Sequence, residues 1–158
     1  MIIKQDKHNL VSNNLLSDSD FVTNLKNFIA VYEESKTIQI PIGIFSNKLG
    51  ILESVVKYLK ENLNLRYNEI ATYLNRDQRT IWATYSKAVK KNKTLLEIKG
   101  ITIPITVFSN RNIGPLESIV AYLKDKSHLE LKEISKLLNR EYQTIWISYK
   151  NAIKKEDK

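Results

Sequence analysis

The sequence predicts an all-α fold in which a three-helix unit occurs twice. Three observations predict it: apolar residues recur at helical spacing, residues 65–91 return as residues 129–155, and an extended segment precedes each copy. Residues 38–91 align with residues 101–155 when one residue is inserted at Asn112, and roughly half of the paired positions are identical. We therefore predict two tandem three-helix repeats, each preceded by a short extended segment, plus an N-terminal helix.

The predicted organisation has four parts. Residues 1–37 form an N-terminal arm and an amphipathic helix, residues 38–93 the first repeat, residues 94–100 a linker, and residues 101–158 the second repeat. A unit of about 55 residues buries too little of its surface to be more than marginally stable alone. We therefore expect the two repeats to share part of their cores.

The N-terminal segment is unlike the rest of the chain. Residues 1–17 are polar and are interpreted as an arm or a short helical lead-in. Behind the capping candidates at 17–20, apolar residues recur at helical spacing up to Glu34, at Phe21, Leu25, Phe28, Ile29 and Tyr32. This amphipathic helix either covers the apolar face of one repeat or binds a partner, which includes holding a homodimer together.

Each repeat begins with alternating apolar residues around a proline. Residues 38–45 and 101–108 are typical of extended edge segments, because proline cannot donate a hydrogen bond to a central ladder. If the two segments pair antiparallel, a pseudo-two-fold axis relates the repeats. The alternative is that each segment packs separately along its own helices.

Three helices follow in each repeat. In the first repeat their apolar faces are, in order, Leu52, Val55, Val56 and Leu59; Leu65, Ile70, Ala71 and Leu74; and Ile81, Tyr85 and Ala88. Asn75 tolerates the left-handed conformation that ends a helix, and Asp77, matched by Glu141, is placed to cap the next helix. Pro115 suits the first turn of a helix.

The second and third helices of each copy carry a resemblance. The pattern Glu-Ile, Leu-Asn-Arg and Thr-Ile-Trp, at residues 69–82 and 133–146, resembles the helix-turn-helix modules of sigma factor region 4 and of FixJ/LuxR-type response regulators. The resemblance covers about 25 residues per copy. It implies an all-α tandem helix-turn-helix fold, double-stranded DNA as partner, and a recognition helix that starts near Gln78 and near Tyr142.

The resemblance places the candidate base-reading residues along those recognition helices, from their first turns onward. In the first copy they are Gln78, Arg79, Ala83 and Ser86, and in the second Tyr142, Gln143, Ile147 and Lys150. Arg79 is suited to guanine, and Gln78 or Gln143 to adenine. The two copies differ most at these positions. Recognition helices that read different half-sites would differ there, and so would solvent-facing residues that vary without a functional role.

Basic residues supply the candidate phosphate contacts. Arg76 and Arg140 occupy the turn, where each either contacts a phosphate or bridges back to Glu69 or Glu133. The final helices add cations at Lys87, Lys90, Lys91, Lys150 and Lys154.

Trp82 and Trp146 flank the apolar stripes of the third helices. We expect both to be buried against a supporting helix or the other repeat. If the two side chains are exposed, they indicate a protein interface instead.

The net charge is +8, and the positive excess lies in the repeats. Residues 1–37 carry four basic and five acidic residues, residues 38–91 nine and four, and residues 101–155 nine and five. A basic surface favours a polyanionic partner, most often nucleic acid.

Several function classes are not favoured. No catalytic residue set can be assembled, so we expect no enzyme, and with no cysteine and two isolated histidines we expect neither metal nor cofactor. No apolar run is long enough for a membrane span. We expect a cytoplasmic, nucleoid-associated DNA-binding transcriptional regulator or architectural protein. The alternative is a protein-protein interaction or scaffold module that uses the same repeats.

Overall fold

The computed structural model describes residues 18–45 and 48–156. Those residues form seven α-helices and two three-residue strands, which confirms the mostly helical fold class. The predicted arm at residues 1–17 lies outside the described residues. In this part of the chain, no helix combines the length and the apolar character that crossing a membrane requires.

The chain divides into two compact units, one ending at Lys36 and one spanning Thr37–Lys158. The described part of the first unit is helix α1 (Asp18–Lys36), which confirms the predicted N-terminal helix. Its large apolar side chains are exposed; Phe28 is 68% accessible and stacks on Tyr32 with ring centroids 6.4 Å apart.

The second unit contains the same series of elements twice. The first series is β1 (Gln39–Pro41), a 3-10 helix (Ile42–Ile44), α2 (Ile51–Glu61), α3 (Tyr67–Tyr73) and α4 (Gln78–Lys91). The second is β2 (Thr102–Pro104), a 3-10 helix (Ile105–Phe108), α5 (Pro115–Asp125), α6 (Leu131–Leu137) and α7 (Tyr142–Glu156). We call residues 38–93 the first half and residues 101–156 the second half.

Local capping explains where the supporting helices α2 and α5 begin. Glu53 and Glu117 accept hydrogen bonds from the backbone N–H groups of Gly50 and Gly114, at 2.9 and 2.8 Å. Such a glutamate in the first turn satisfies a donor that the helix itself leaves free. Pro115 occupies the first turn of α5, as predicted.

The turn before α4 also follows the sequence prediction. Asn75 and Asn139 adopt φ values of 49° and 50°, the left-handed conformation that ends α3 and α6. The Asp77 side chain then accepts a hydrogen bond from the Arg79 N–H at 2.8 Å and caps α4. Each turn is therefore tight, so that the helix after it lies beside the short helix before it.

The two strands pair antiparallel, which decides between the two alternatives left by the sequence. The register is Gln39 with Pro104, Ile40 with Ile103, and Pro41 with Thr102. Ile40 and Ile103 are equivalent positions of the two halves, so the register is self-complementary. A local pseudo-two-fold axis passes through this central pair.

Hydrogen bonds beyond the strands keep the same symmetry. The Ile42 N–H donates to the Ile101 carbonyl at 2.8 Å, and the equivalent Ile105 N–H donates to the Ile38 carbonyl at 2.9 Å. The 3-10 helices are thereby tied across the axis.

One hydrophobic core includes residues from both halves, as predicted. Ile40 and Ile103 are fully buried, and the equivalent rings of Phe45 and Phe108 lie 6.3 Å apart. Val55, Ile70, Ile81 and their counterparts complete the core from the helices. The side chains of the strand pair and the two phenylalanines are covered from both halves, so each half supplies part of the other's cover there.

The segment between the halves is held by a close backbone approach. The Gly43 N–H donates to the Lys99 carbonyl at 2.9 Å. A Cβ at residue 43 would lie 2.5 Å from that carbonyl oxygen, so only glycine fits here.

Candidate nucleic-acid interface

The opening turn of α4 faces solvent. Gln78 and Arg79, the two predicted base readers there, are both exposed. Together with Tyr67, Asp77 and Trp82 they line an open groove of about 490 Å³ between α3 and α4. The Asp77 cap fixes the direction in which this turn points.

The opening turn of α7 is exposed in the same way. Tyr142 is 44% accessible and Gln143 is exposed, while Ile145 in the same turn is fully buried. Ile147 and Ile153 further along the helix are also partly accessible. The accessible face of α7 is therefore more apolar than that of α4.

The other predicted contacts follow one outward row on each helix. At 100° per residue, the positions opposite the buried stripe are Arg79, Ala83, Ser86 and Lys90 in α4, and Gln143, Ile147, Lys150 and Lys154 in α7. Ala83 and Ser86 are half-buried and the other members are exposed. Apart from Ala83 and Ile147, the members of each row are polar or cationic.

Four of the predicted lysines present free charge. Lys87, Lys90, Lys150 and Lys154 are exposed, and within residues 18–45 and 48–156 none of them forms a salt bridge. The Lys150 ammonium lies 5.2 Å from the centroid of the Trp146 ring, in a cation-π contact that leaves its charge uncancelled.

Lys91 is engaged differently. Its ammonium lies 2.8 Å from Glu53 at the start of α2, and the equivalent Lys155 lies 2.6 Å from Glu117. Burial raises the pKa of Glu53, but hydrogen bonds from Lys91 and the Gly50 N–H, with the nearby lysine charges, outweigh it and lower that pKa below its ordinary value. Lys91 therefore ties the end of α4 to α2.

Arg140 is held by contacts that the sequence analysis did not consider. Its guanidinium donates to the Leu49 carbonyl of the first half at 2.7 Å and to the Asn139 carbonyl at 3.2 Å. Glu133 instead accepts from the Glu130 N–H at 2.7 Å, so the bridge to Glu133 is wrong. The arginine reaches across to the other half because the antiparallel strand pair brings that loop beside the turn.

Arg76 occupies the equivalent junction. Glu69 pairs with Arg66 at 3.1 Å, so the predicted bridge from Arg76 back to Glu69 is also wrong. Burial, and then the charge of Arg111, lower the pKa of Arg76, and its buried Nε has no hydrogen-bond partner. The first-half turn thus meets a cationic loop of the second half.

The expected burial of the tryptophans is wrong. Trp82 is 58% and Trp146 is 40% accessible. The buried stripe of α4 runs through Ile81 and Ala88, and Trp82 lies about 100° around the helix from Ile81, outside the packed face.

Three further lysines escaped the sequence analysis. Lys57 is fully buried against Glu61, and Lys48 and Lys136 line a groove shared by the halves. No local pattern marks Lys48 or Lys136, since only the register of the halves brings them together. For Lys57, the sequence signal was an acidic residue four positions further along the same helix, Glu61.

The structure thus exposes most of the predicted residues of each copy on one helix, α4 or α7, while it ties Lys91 to α2 and draws Arg76 and Arg140 to the junction of the halves. Two aromatic side chains, Trp82 and Trp146, lie beside these faces. In comparisons with known proteins, no family model, no curated sequence and no solved structure matches this chain.

Proposed function

We propose that the chain binds double-stranded DNA through α4 and α7, as the recognition helices of two tandem helix-turn-helix units. In this proposal α3 and α6 are the first helices of the motifs, and the protein acts as a transcriptional regulator or an architectural factor. The observation that carries it is that both opening turns are exposed: Gln78 with Arg79, and Tyr142 with Gln143. An N-terminal turn of this kind is the part of a recognition helix that reaches base edges.

Charge supports the proposal. The outward rows end in Lys90 and Lys154, which are equivalent positions, and Lys87 and Lys150 lie nearby on the same helices. Each lysine that neutralises a phosphate releases a counterion, which makes the affinity depend on salt.

The self-complementary strand register supports a two-headed arrangement. If the local pseudo-two-fold axis of the strand pair extends to the helices, it relates α4 to α7 as the axis of a dimer relates two recognition helices. We expect two inverted half-sites, with centres about 34 Å apart, one turn of B-DNA.

The test is a titration of a labelled random-sequence duplex at about 50 and 200 mM salt, followed by fluorescence anisotropy. Wild-type protein is compared with a Lys90→Ala/Lys154→Ala variant. Loss of two phosphate contacts should weaken binding and reduce the slope of log K against log salt by about 1.8, at about 0.9 per contact.

A matched control removes the same charge elsewhere. Lys26→Ala/Lys126→Ala also deletes two exposed lysines, neither of them on α4 or α7 and neither in a salt bridge within the described residues. We expect this variant to keep the wild-type slope, apart from a small uniform effect of net charge. Duplex binding that is absent or independent of salt would refute the proposal.

A protein-protein interaction module is the second candidate. The exposed apolar side chains on α7 favour it: Tyr142, Trp146, Ile147 and Ile153 are each between 38% and 45% accessible. Aromatic residues of this kind are typical interface anchors. No duplex binding, together with self-association that Trp146→Ala abolishes in sedimentation equilibrium, would decide for this candidate.

A further inference from the structure

A positively charged groove of about 620 Å³ opens where the halves meet. The first half contributes the loop before α2 and the end of α4, and the second half contributes α6, the turn and the start of α7. The lining residues are Lys48, Leu49, Gly50, Lys91, Ser135, Lys136, Asn139, Arg140, Glu141 and Thr144.

Four cations and one carboxylate line this groove. Lys48 and Lys136 are exposed, and neither forms a salt bridge within the described part of the chain. Lys91 shares its charge with Glu53, whereas the contacts of Arg140 are to neutral carbonyls. The groove therefore concentrates positive charge that the protein leaves largely uncompensated.

Arg140 is held in place for a further contact. Two of its nitrogens donate to the Leu49 and Asn139 carbonyls, and a guanidinium has five N–H donors in all. The remaining donors are available to an oxyanion. Thr144 adds a hydroxyl within the first turn of the 15-residue helix α7, whose N-terminus favours negative charge.

The first-half turn has a related environment. The Asn75 side chain donates to the Ser109 carbonyl at 3.4 Å, which brings this turn beside the loop that carries Arg111. The buried Nε of Arg76 lacks a hydrogen-bond partner there. Both turns thus meet a basic residue from the opposite half, Arg111 or Lys48.

We propose that the groove between the halves binds a phosphate group of the duplex backbone, with Lys48 and Lys136 as additional charged contacts and Arg140 as the positioned donor. This inference rests on the proposed DNA binding and assigns a contact outside the recognition helices. Since Lys48 and Lys136 come from different halves, the site exists only while the halves keep their antiparallel arrangement.

The first arm of the test uses the full chain and a labelled random-sequence duplex. We expect Lys48→Ala/Lys136→Ala to weaken binding and to reduce the salt slope by about 1.8, corresponding to two contacts. The control Lys26→Ala/Lys126→Ala removes the same charge from positions that do not line the groove. Thermal unfolding followed by circular dichroism checks that both variants fold as the wild type does.

The second arm uses tripolyphosphate, titrated by calorimetry into the same proteins. Heat that is present with wild type and lost in the groove variant, together with the altered duplex slope, supports the proposal. Tripolyphosphate binding that depends on the lysines, with an unchanged duplex slope, would overturn the assignment to a duplex backbone.

The remaining outcomes separate the two proposals. A groove variant that binds both probes as wild type does would overturn the groove, while the recognition-helix proposal would stand. If the wild type binds no duplex but its tripolyphosphate binding needs the two lysines, DNA binding fails and the anion chemistry of the groove is supported.

Discussion

The end of α2 and the end of α5 are equivalent places in the two halves, but they carry different charged side chains. In the first half, Glu61 accepts hydrogen bonds from the fully buried Lys57 and from the Tyr85 hydroxyl. In the second half, Ala121 replaces the lysine, and Asp125 accepts from the Tyr149 hydroxyl at 2.8 Å. The hydroxyl-carboxylate bond is common to both halves, while the buried cation belongs to one.

The outer faces of α4 and α7 also differ. The accessible face of α4 carries Gln78 and Arg79, whereas that of α7 carries Tyr142 and Ile147. The packed sides of both helices meanwhile keep the same Ile-Tyr-Ala stripe. Packing restrains the buried sides, because a change there costs stability, and leaves the outer faces free to acquire different partners.

The largest expected effect tests the buried cation. Glu61→Ala should lower the free energy of unfolding by about 3–5 kcal/mol, because Lys57 would remain buried without a counter-charge. The matched change Asp125→Ala should cost only about 1 kcal/mol, the usual value of one hydrogen bond. Urea denaturation followed by circular dichroism measures both.

A rescue variant sharpens this prediction. Lys57→Met/Glu61→Leu replaces both members of the pair with apolar groups and should recover most of the loss, since an apolar replacement of a buried pair is often near neutral. Equal losses for Glu61→Ala and Asp125→Ala would show that Lys57 does not depend on its carboxylate.

The next effect tests how symmetric the strand pair is. Ile40→Ala and Ile103→Ala should each lower the free energy of unfolding by about 2–5 kcal/mol, because each deletes a fully buried side chain. The two losses should be similar, since the residues occupy equivalent sites at the axis. Urea midpoints for the two variants measure them, and clearly unequal losses would contradict the pseudo-two-fold packing.

The smallest effect concerns the ion pairs that tie α4 to α2 and α7 to α5. Burial works to raise the pKa of Glu53 and of Glu117, but hydrogen bonds from Lys91 or Lys155 and from the helix-start N–H groups lower both values overall. A carboxyl with a lowered folded-state pKa contributes stability above its unfolded value of about 4.3, and that contribution is lost as the pH falls through the folded pKa.

Lys91→Ala and Lys155→Ala should therefore each reduce the amount of stability that the protein loses on acidification. The expected size is below about 1 kcal/mol per pair, since both lysines are partly exposed. Free energies of unfolding measured by urea between neutral and acidic pH check this. If the variants lose stability on acidification as steeply as the wild type does, the lysines do not lower these pKa values.

Local features of the sequence were sufficient to predict most helix boundaries. Asn75, Asp77 and Pro115 fix the ends of helices through their own backbone and side-chain chemistry, and the structure follows them. The antiparallel strand pair was one of two open alternatives, since a three-residue strand carries no information about its partner. DNA binding itself remains a prediction.

The wrong expectations have two physical origins. Trp82 lies at the edge of a helical stripe, where a step of one residue, about 100°, separates the packed Ile81 from an exposed side chain. Arg140 was compared with Glu133 on its own motif, but its partner Leu49 is supplied by the other half. The groove around Lys48 and Lys136 could not be predicted for the same reason, because it depends on contacts between distant segments.

The central pairing of Ile40 with Ile103 also bears on how such a chain can arise. A strand whose register maps onto itself can pair with an identical strand from another molecule, so the ladder that joins the halves is one that two separate copies of a single half could also form. Joining the two copies through the segment near Lys99 makes that association independent of concentration. Each copy is then able to change its outer face while both copies preserve the shared interior.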